Sequence, residues 1–146
     1  MDAMTPAELR HLFEHVAPDL DALASPWSLI GSGALILLGV PIEAAADLDV
    51  VTGVDGAGRL RSAWAEWLDH TEPKAPDGPF RSQDFARYLT PWGPVEVMGG
   101  LKVRGRLLDV SGPLPPAADQ LRILKLFGRP KDLDKAAVLE AWLAAG

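Results

Sequence analysis

The sequence predicts a small α/β protein of the α+β kind, a mixed β-sheet flanked by helices, folded as one domain over residues 1–146. Three observations carry that expectation. Apolar residues recur at helical spacing near both ends, short apolar runs of strand length lie between them, and Gly- or Pro-bearing turns separate the runs. At 146 residues and 48% hydrophobic content, the chain can bury one real core and is too short for two ordinary domains.

Taken in order, Thr5-Pro6-Ala7-Glu8 fits a capping box with Pro at the first helical position, and Leu9, Leu12, Phe13 and Val16 follow at helical spacing. Trp27-Ser28-Leu29-Ile30 reads as a short strand, Gly31-Ser32-Gly33 as a tight turn, and Ala34-Leu35-Ile36-Leu37-Leu38 as the opening of a buried helix closed by Gly39. A second strand runs through Asp47-Leu48-Asp49-Val50-Val51. Leu60, Trp64, Trp67 and Leu68 mark the apolar stripe of a helix over residues 58–70. The Pro- and Gly-rich residues 71–79 read as a surface loop, with a lid over substrate as the other reading. Residues 80–90 then return as a strand, and short strands at 95–98, 101–103 and 106–110 complete the sheet. Pro115-Pro116 opens a penultimate helix, and residues 131–144 form the last.

Residues i and i+2 of a strand project from one face, so Asp47 and Asp49 stand side by side while Leu48, Val50 and Val51 are available to the core. Two close, half-buried carboxylates repel each other and lose hydration, which a cation or an Arg or Lys relieves. Oxygen-only ligands favour magnesium or manganese over zinc. Upstream, backbone N–H groups at the start of the Gly-Ser-Gly helix form an anion site, where Gly31 permits close backbone approach and Ser32 offers its hydroxyl. Gly33 is equally suited to plain packing. Glu96 is a single acid within the apolar run Val95-Glu96-Val97-Met98. Standing alone, each of these motifs has an ordinary structural reading: a solvated strand end, a strand-to-helix turn, an edge-strand Glu.

Their order resembles the nucleotidyltransferase superfamily typified by DNA polymerase beta, and within it the minimal, stand-alone bacterial members. The pieces are strand, Gly-Ser, helix, then Asp-x-Asp on a second strand, with a later acid and a Lys before a G-R-x-K-D run at Gly128-Arg129-Pro130-Lys131-Asp132. The resemblance implies that Asp47, Asp49 and Glu96 are catalytic and ligate Mg²⁺ or Mn²⁺. It places Gly31, Ser32, Lys125 and Lys131 on the side of a nucleoside triphosphate substrate, with Lys131 and Asp132 organising the junction to the last helix. The activity it implies is transfer of a nucleoside monophosphate from an NTP to a hydroxyl acceptor, which a small molecule, a protein side chain or an RNA end could supply. The chain departs from the family pattern at three places. Glu43-Ala44-Ala45-Ala46 stands where an Arg and a Ser or Thr are common, Lys135 stands where the K-D-x-x-D pattern has an acid, and Glu96 replaces the more usual Asp. These departures motivate an alternative: an inactive module of the same fold that binds nucleotide or a protein partner, as in a toxin–antitoxin-type operon.

Competing chemistries find less support. His11-Leu12-Phe13-Glu14-His15 matches the inverted zinc-peptidase pattern H-x-x-E-H, but on a capped helix whose apolar side includes Leu12 and Phe13. A dinucleotide fingerprint fails at its third glycine, where Ile36 stands, and no G-x-S-x-G elbow is present. There is no cysteine, hence no disulfide or thiolate metal site. No apolar leader and no span of 18 apolar residues appears, so the sequence points away from membranes and towards the cytoplasm. Abundant Ala, Gly and Pro fit the coding bias of a GC-rich bacterium. The net charge of −6 argues against a long nucleic acid as partner, and a small domain of this kind commonly dimerises. That charge is uneven: residues 1–101 hold 6 Lys or Arg against 15 Asp or Glu, whereas residues 102–146 hold 8 against 5. Carboxylates for metal in the first part and cations for phosphate in the last suit a triphosphate site.

Overall fold

The computed structural model describes residues 3–71, 80–109 and 112–146. Helix α1 (Pro6–Asp21) opens on the expected capping box. The Thr5 hydroxyl accepts from the Glu8 N–H at 3.2 Å, and the Thr5 N–H donates to Glu8 Oε1 at 3.0 Å. Its buried stripe is Leu9, Leu12, Val16 and Leu20. Strand β1 (Trp27–Ile30) leads directly into α2 (Gly31–Leu38), which ends at Gly39 in the left-handed conformation. After β2 (Leu48–Thr52) come α3 (Val54–Ala63) and a single 3-10 turn (Ala65–Trp67). The remaining strands are β3 (Phe80–Arg81), β4 (Asp84–Thr90), β5 (Gly93–Gly99), β6 (Lys102–Val103) and β7 (Arg106–Leu107), followed by α4 (Ala117–Phe127) and α5 (Pro130–Ala145).

The main sheet has the order β1-β2-β5-β4, with β2 and β5 parallel and both outer pairs antiparallel. It is therefore mixed, as expected. A second sheet, β3-β6-β7, turns through Arg104-Gly105, both at positive φ (52° and 79°), as a two-residue hairpin requires. Strand alternation divides the core between the two faces of the main sheet. Leu29, Leu48, Val50, Ala86, Tyr88, Val95 and Val97 pack against α1 and α3. Ile30, Val51 and Met98 face Ile123 and Phe127 of α4 together with Leu101, Val103 and Leu108. A third cluster joins Leu35 of α2 and Val40 to Leu124, Ala136 and Leu139, which fixes α4 and α5 beside α2. The β1 edge is covered: the Leu29 N–H donates to the Pro113 carbonyl at 2.8 Å, and buried Gln120 on α4 donates to the Leu29 carbonyl at 2.9 Å.

Several boundaries differ from the sequence reading, and one bears on the site: Gly31-Ser32-Gly33, expected as a tight turn, is the first turn of α2. The helix expected over 58–70 begins four residues earlier and ends at Ala63, because Gly56 and Gly58 lower helix propensity yet Gly56 is needed for packing. A Cβ there would lie 2.6 Å from Thr52 Oγ1 and 2.9 Å from Ser25 Oγ. The strand expected over 80–90 breaks at Ser82-Gln83, where the chain leaves the small sheet for the main one. The last strand covers only Arg106–Leu107, although the Leu108 N–H still donates to the Leu101 carbonyl at 2.9 Å, and Val110 lies outside the described residues. Of the loop or lid expected over 71–79, all but Thr71 likewise lies outside them. Among the described residues, no helix is long and apolar enough to cross a membrane.

Leu12 is fully buried between α1 and the sheet. Leu12→Ala should lower unfolding free energy by about 2–5 kcal/mol in urea titration with an unchanged m-value.

Candidate functional site

The register of the main sheet sets Ile30, Asp49, Glu96 and Arg87 in one row across four strands. Leu48 and Val50 point into the α1 and α3 core, so alternation sends Asp49 to the opposite face, and Val95 and Val97 do the same for Glu96. Asp47 sits one residue before β2 and turns its carboxylate to the same place. One oxygen from each of Asp47, Asp49 and Glu96 lies within 4.8 Å of the others, and all three side chains are partly buried. This is the set the sequence singled out.

Gly31 completes the floor. It starts α2 at φ 76°, and a Cβ at this position would stand 2.7 Å from Asp49 Oδ2, so only glycine lets the helix start approach that carboxylate. Ile30 at the N-cap offers no capping side chain, and half-buried Ser32 follows as the second residue of α2. Gly33 is a packing residue: a Cβ would meet Leu48 Cδ1 at 3.0 Å and Leu9 Cδ1 at 3.3 Å.

The electrostatics follow from crowding. Burial foremost, then the Asp47 charge and a hydrogen bond shared with Asp47, then the Glu96 charge, push Asp49 well above the usual carboxylate range, and Lys135 opposes them. Glu96 is raised to about 7, mainly by burial and then by Asp47, with Arg87 pulling the other way. Arg87 Nη1 lies 3.4 Å from Asp47 Oδ2 and 3.5 Å from Glu96 Oε2. Its Nε is 3.8 Å from Asp69 Oδ2. Asp69 is itself held by Thr71, whose N–H and hydroxyl donate to Oδ1 at 3.0 and 2.8 Å, and these bonds lead the causes that lower its pKa.

The expected lysines are placed apart from this cluster. Lys125 Nζ is 3.6 Å from Glu140 of α5 and more than half exposed, and Lys131 is exposed on the first turn of α5. Neither ammonium lies within 4 Å of Asp47, Asp49 or Glu96. Asp132 organises the helix junction: buried, it accepts from Arg129 Nε at 2.6 Å and from the Arg129 backbone N–H at 3.2 Å. The residue whose charge reaches Asp49 is half-buried Lys135, which the sequence marked only as a departure. Arg87, Asp69 and Lys135 carry no sequence signal, since only the strand register and the helix packing bring them to the acids. Among the described residues, His11 and His15 join no group of three or more metal-ligating side chains. The His15 ring stacks on Trp92 at 4.4 Å, and its Nδ1 lies 2.9 Å from the His11 carbonyl oxygen. A cavity of about 440 Å³ opens at the other end of β2, lined by Thr52, Gly53, Gly100 and Leu108, and touches none of the acids. The donor chemistry, not cavity size, marks the site.

No family model matches the chain, and no curated protein does. Solved structures do. TM1012 from Thermotoga maritima, which carries a provisional nucleotidyltransferase name, is 21% identical with a TM-score of 0.65, covering 99% of this chain and 98% of its own. An antigenic nucleotidyltransferase-like protein from Paracoccidioides brasiliensis is 18% identical with a TM-score of 0.55, covering 94% of this chain and 78% of its own. The chain thus has the nucleotidyltransferase fold, an α+β arrangement over nearly its whole described length. On that fold it carries an acidic triad whose all-oxygen donor set suits a hard divalent ion.

Two outcomes follow. Gly31→Ala should cost about 1–3 kcal/mol from the positive φ alone and displace Asp49, read by thermal unfolding together with Mn²⁺ affinity. Glu96 holds its proton more tightly folded than unfolded, so its stabilising share is complete below about pH 4 and is lost as pH rises through about 7. Metal-free protein should therefore lose stability between about pH 5 and 8, and Glu96→Gln should flatten that slope in denaturant titrations.

Proposed function

We propose that this chain transfers a nucleoside monophosphate from an NTP to a hydroxyl acceptor. The single observation that carries the reading is the convergence of Asp47, Asp49 and Glu96 on the face of a nucleotidyltransferase-type sheet, against the glycine-led start of α2. The donor set fits a divalent ion: three carboxylate oxygens within reach of one another, two of the groups with pKa raised by burial and then by their neighbouring carboxylates. Asp47, Asp49 and Glu96 would hold Mg²⁺ or Mn²⁺, which when bound supplies charge neutralisation for the triphosphate and acidifies the attacking hydroxyl.

The chain's own groups supply the rest. N–H groups at the start of α2 and the Ser32 hydroxyl face the β and γ phosphates, with Gly31 clearing their approach. Lys125, more than half exposed beside Glu140, keeps the triphosphate role that the resemblance implies, and Lys135, whose charge reaches Asp49, adds a second cation on that side. The acceptor oxygen bonds to the α phosphorus, the α–β phosphoanhydride bond breaks and pyrophosphate leaves. Glu96 accepts the hydroxyl proton. The reaction belongs inside the cell, where NTPs are, with a second copy of the chain or an operon-encoded protein as possible company. The complete triad favours this over the silent module that the departures at residues 43–46 and 135 suggested.

Calorimetric titration of ATP, GTP, CTP and UTP, with and without Mg²⁺, tests it. Wild type should bind at least one nucleotide in a metal-dependent way, and the Asp47→Ala, Asp49→Ala double variant should lose at least about a hundredfold in affinity while keeping its circular dichroism. Metal-independent silence towards all four nucleotides would replace the enzyme with a partner-binding module.

A further inference from the structure

Arg87 stands in the same cross-strand row as Asp49 and Glu96, directly opposite Glu96 on β4. One guanidinium nitrogen spans the Asp47 and Glu96 carboxylates at 3.4 and 3.5 Å. Its Nε faces Asp69, so the planar fork is held at both ends. Asp69 is tied to the same strand: its N–H donates to the Arg87 carbonyl at 2.9 Å, beside the isolated bridge between Leu68 and Tyr88. Thr71 then orients the Asp69 carboxylate through two hydrogen bonds. The result is a chain of contacts, Thr71 to Asp69 to Arg87 to the pair Asp47 and Glu96. It is built from elements outside the Gly-Ser turn and the Asp-x-Asp strand.

We infer that Arg87, anchored by Asp69, is the positioning residue of the carboxylate site, holding Asp47 and Glu96 towards Asp49 so that a divalent ion meets a preformed ligand set. The inference rests on the metal-binding reading of the triad. Two opposed effects make it testable by sign. A positive charge 3.4–3.5 Å from two ligands repels an incoming cation, so charge alone predicts tighter metal binding when Arg87 is removed. Positioning predicts the reverse, because without the fork two repelling carboxylates turn apart towards water and must be regathered by the ion. The geometry favours positioning: Arg87 is fixed by a dedicated partner, and each carboxylate has a second oxygen to offer.

The test is Mn²⁺ titration followed by electron paramagnetic resonance on full-length wild type, Arg87→Gln and Arg87→Lys, with metal-free thermal unfolding of each. Arg87→Gln should bind Mn²⁺ about tenfold more weakly, and Arg87→Lys, which restores charge but not the fork, should recover only part of the loss. Should Arg87→Gln fail to fold, Arg87→Lys carries the comparison, with weaker binding than wild type again expected. Equal or tighter binding by the folded variants overturns the positioning role and leaves the triad standing as a metal site. Absence of Mn²⁺ binding by wild type overturns both.

Discussion

The in-register parallel pairing of β2 with β5 is the constraint on which the rest of this structure depends, because it places Asp49 beside Glu96 in the two central strands. Central strands are fixed on both sides and cannot twist away to relieve a bad pair. With Asp47 added, three carboxylates share a space in which their nearest oxygens lie within 4.8 Å. At an effective dielectric near 20, each ionised pair at that spacing would repel by about 3–4 kcal/mol. Three such pairs rival the whole stability of a small domain, about 5–15 kcal/mol. The folded chain therefore cannot hold all three ionised without a counter-charge, and the raised pKa values of Asp49 and Glu96 are how the metal-free protein answers. Burial is the larger part of that shift, since the α1 and α3 core on one face and α4 on the other keep water from solvating the row freely.

A parallel pair also dictates what lies between its strands. The chain must cross from the end of β2 to the start of β5, and it does so through α3, the 3-10 turn and β4. That crossover delivers the remaining charge partners. β4 returns antiparallel to β5 with Arg87 opposite Glu96, and the segment before it brings Asp69 against the Arg87 backbone. The connection required by topology thus doubles as the support of the site. At the other side, Ala136 and Leu139 pack with Leu35, Val40 and Leu124, beside Lys135, whose charge acts on Asp49.

This division explains what could be read in the sequence. Asp47, Asp49 and Glu96 were legible because single acids in apolar strand runs contradict their surroundings, and a contradiction with local pattern marks either a site or an exposed end. Helix α1 was legible because Thr5, Pro6 and Glu8 form a local signal that needs no tertiary partner. Gly31 was legible as a close-approach residue, though that it makes room for Asp49 was not. Arg87 was silent: within the alternating strand Asp84–Thr90 it reads as any residue on a polar face, and only register reveals its partners. Lys125 drew attention through its position ahead of the Gly128-Arg129 turn, yet it pairs with Glu140 on the neighbouring helix. Lys135 was noticed for the acid it replaces rather than for the place it occupies. The start of α3 was missed because two glycines argue against a helix locally, while contact of the backbone with Ser25 and Thr52 requires one of them.

The charge balance of the site bears on what it would accept. With all four ionised, Asp47, Asp49, Glu96 and Asp69 would outnumber Arg87 and Lys135, leaving a negative excess on a face that ends at the uncapped start of α2. An anionic ligand arriving alone would meet that excess and be repelled. A divalent ion arriving alone would meet oxygen donors of the right hardness, but Asp49 and Glu96 hold their protons more tightly than ordinary carboxylates, and binding the ion means releasing them. On the reading proposed above, the two together would satisfy the site better than either: the ion would take the carboxylates, and the ligand's phosphates would take the helix start. A metal-bound triphosphate is then the species whose charges answer both the acids and the start of α2.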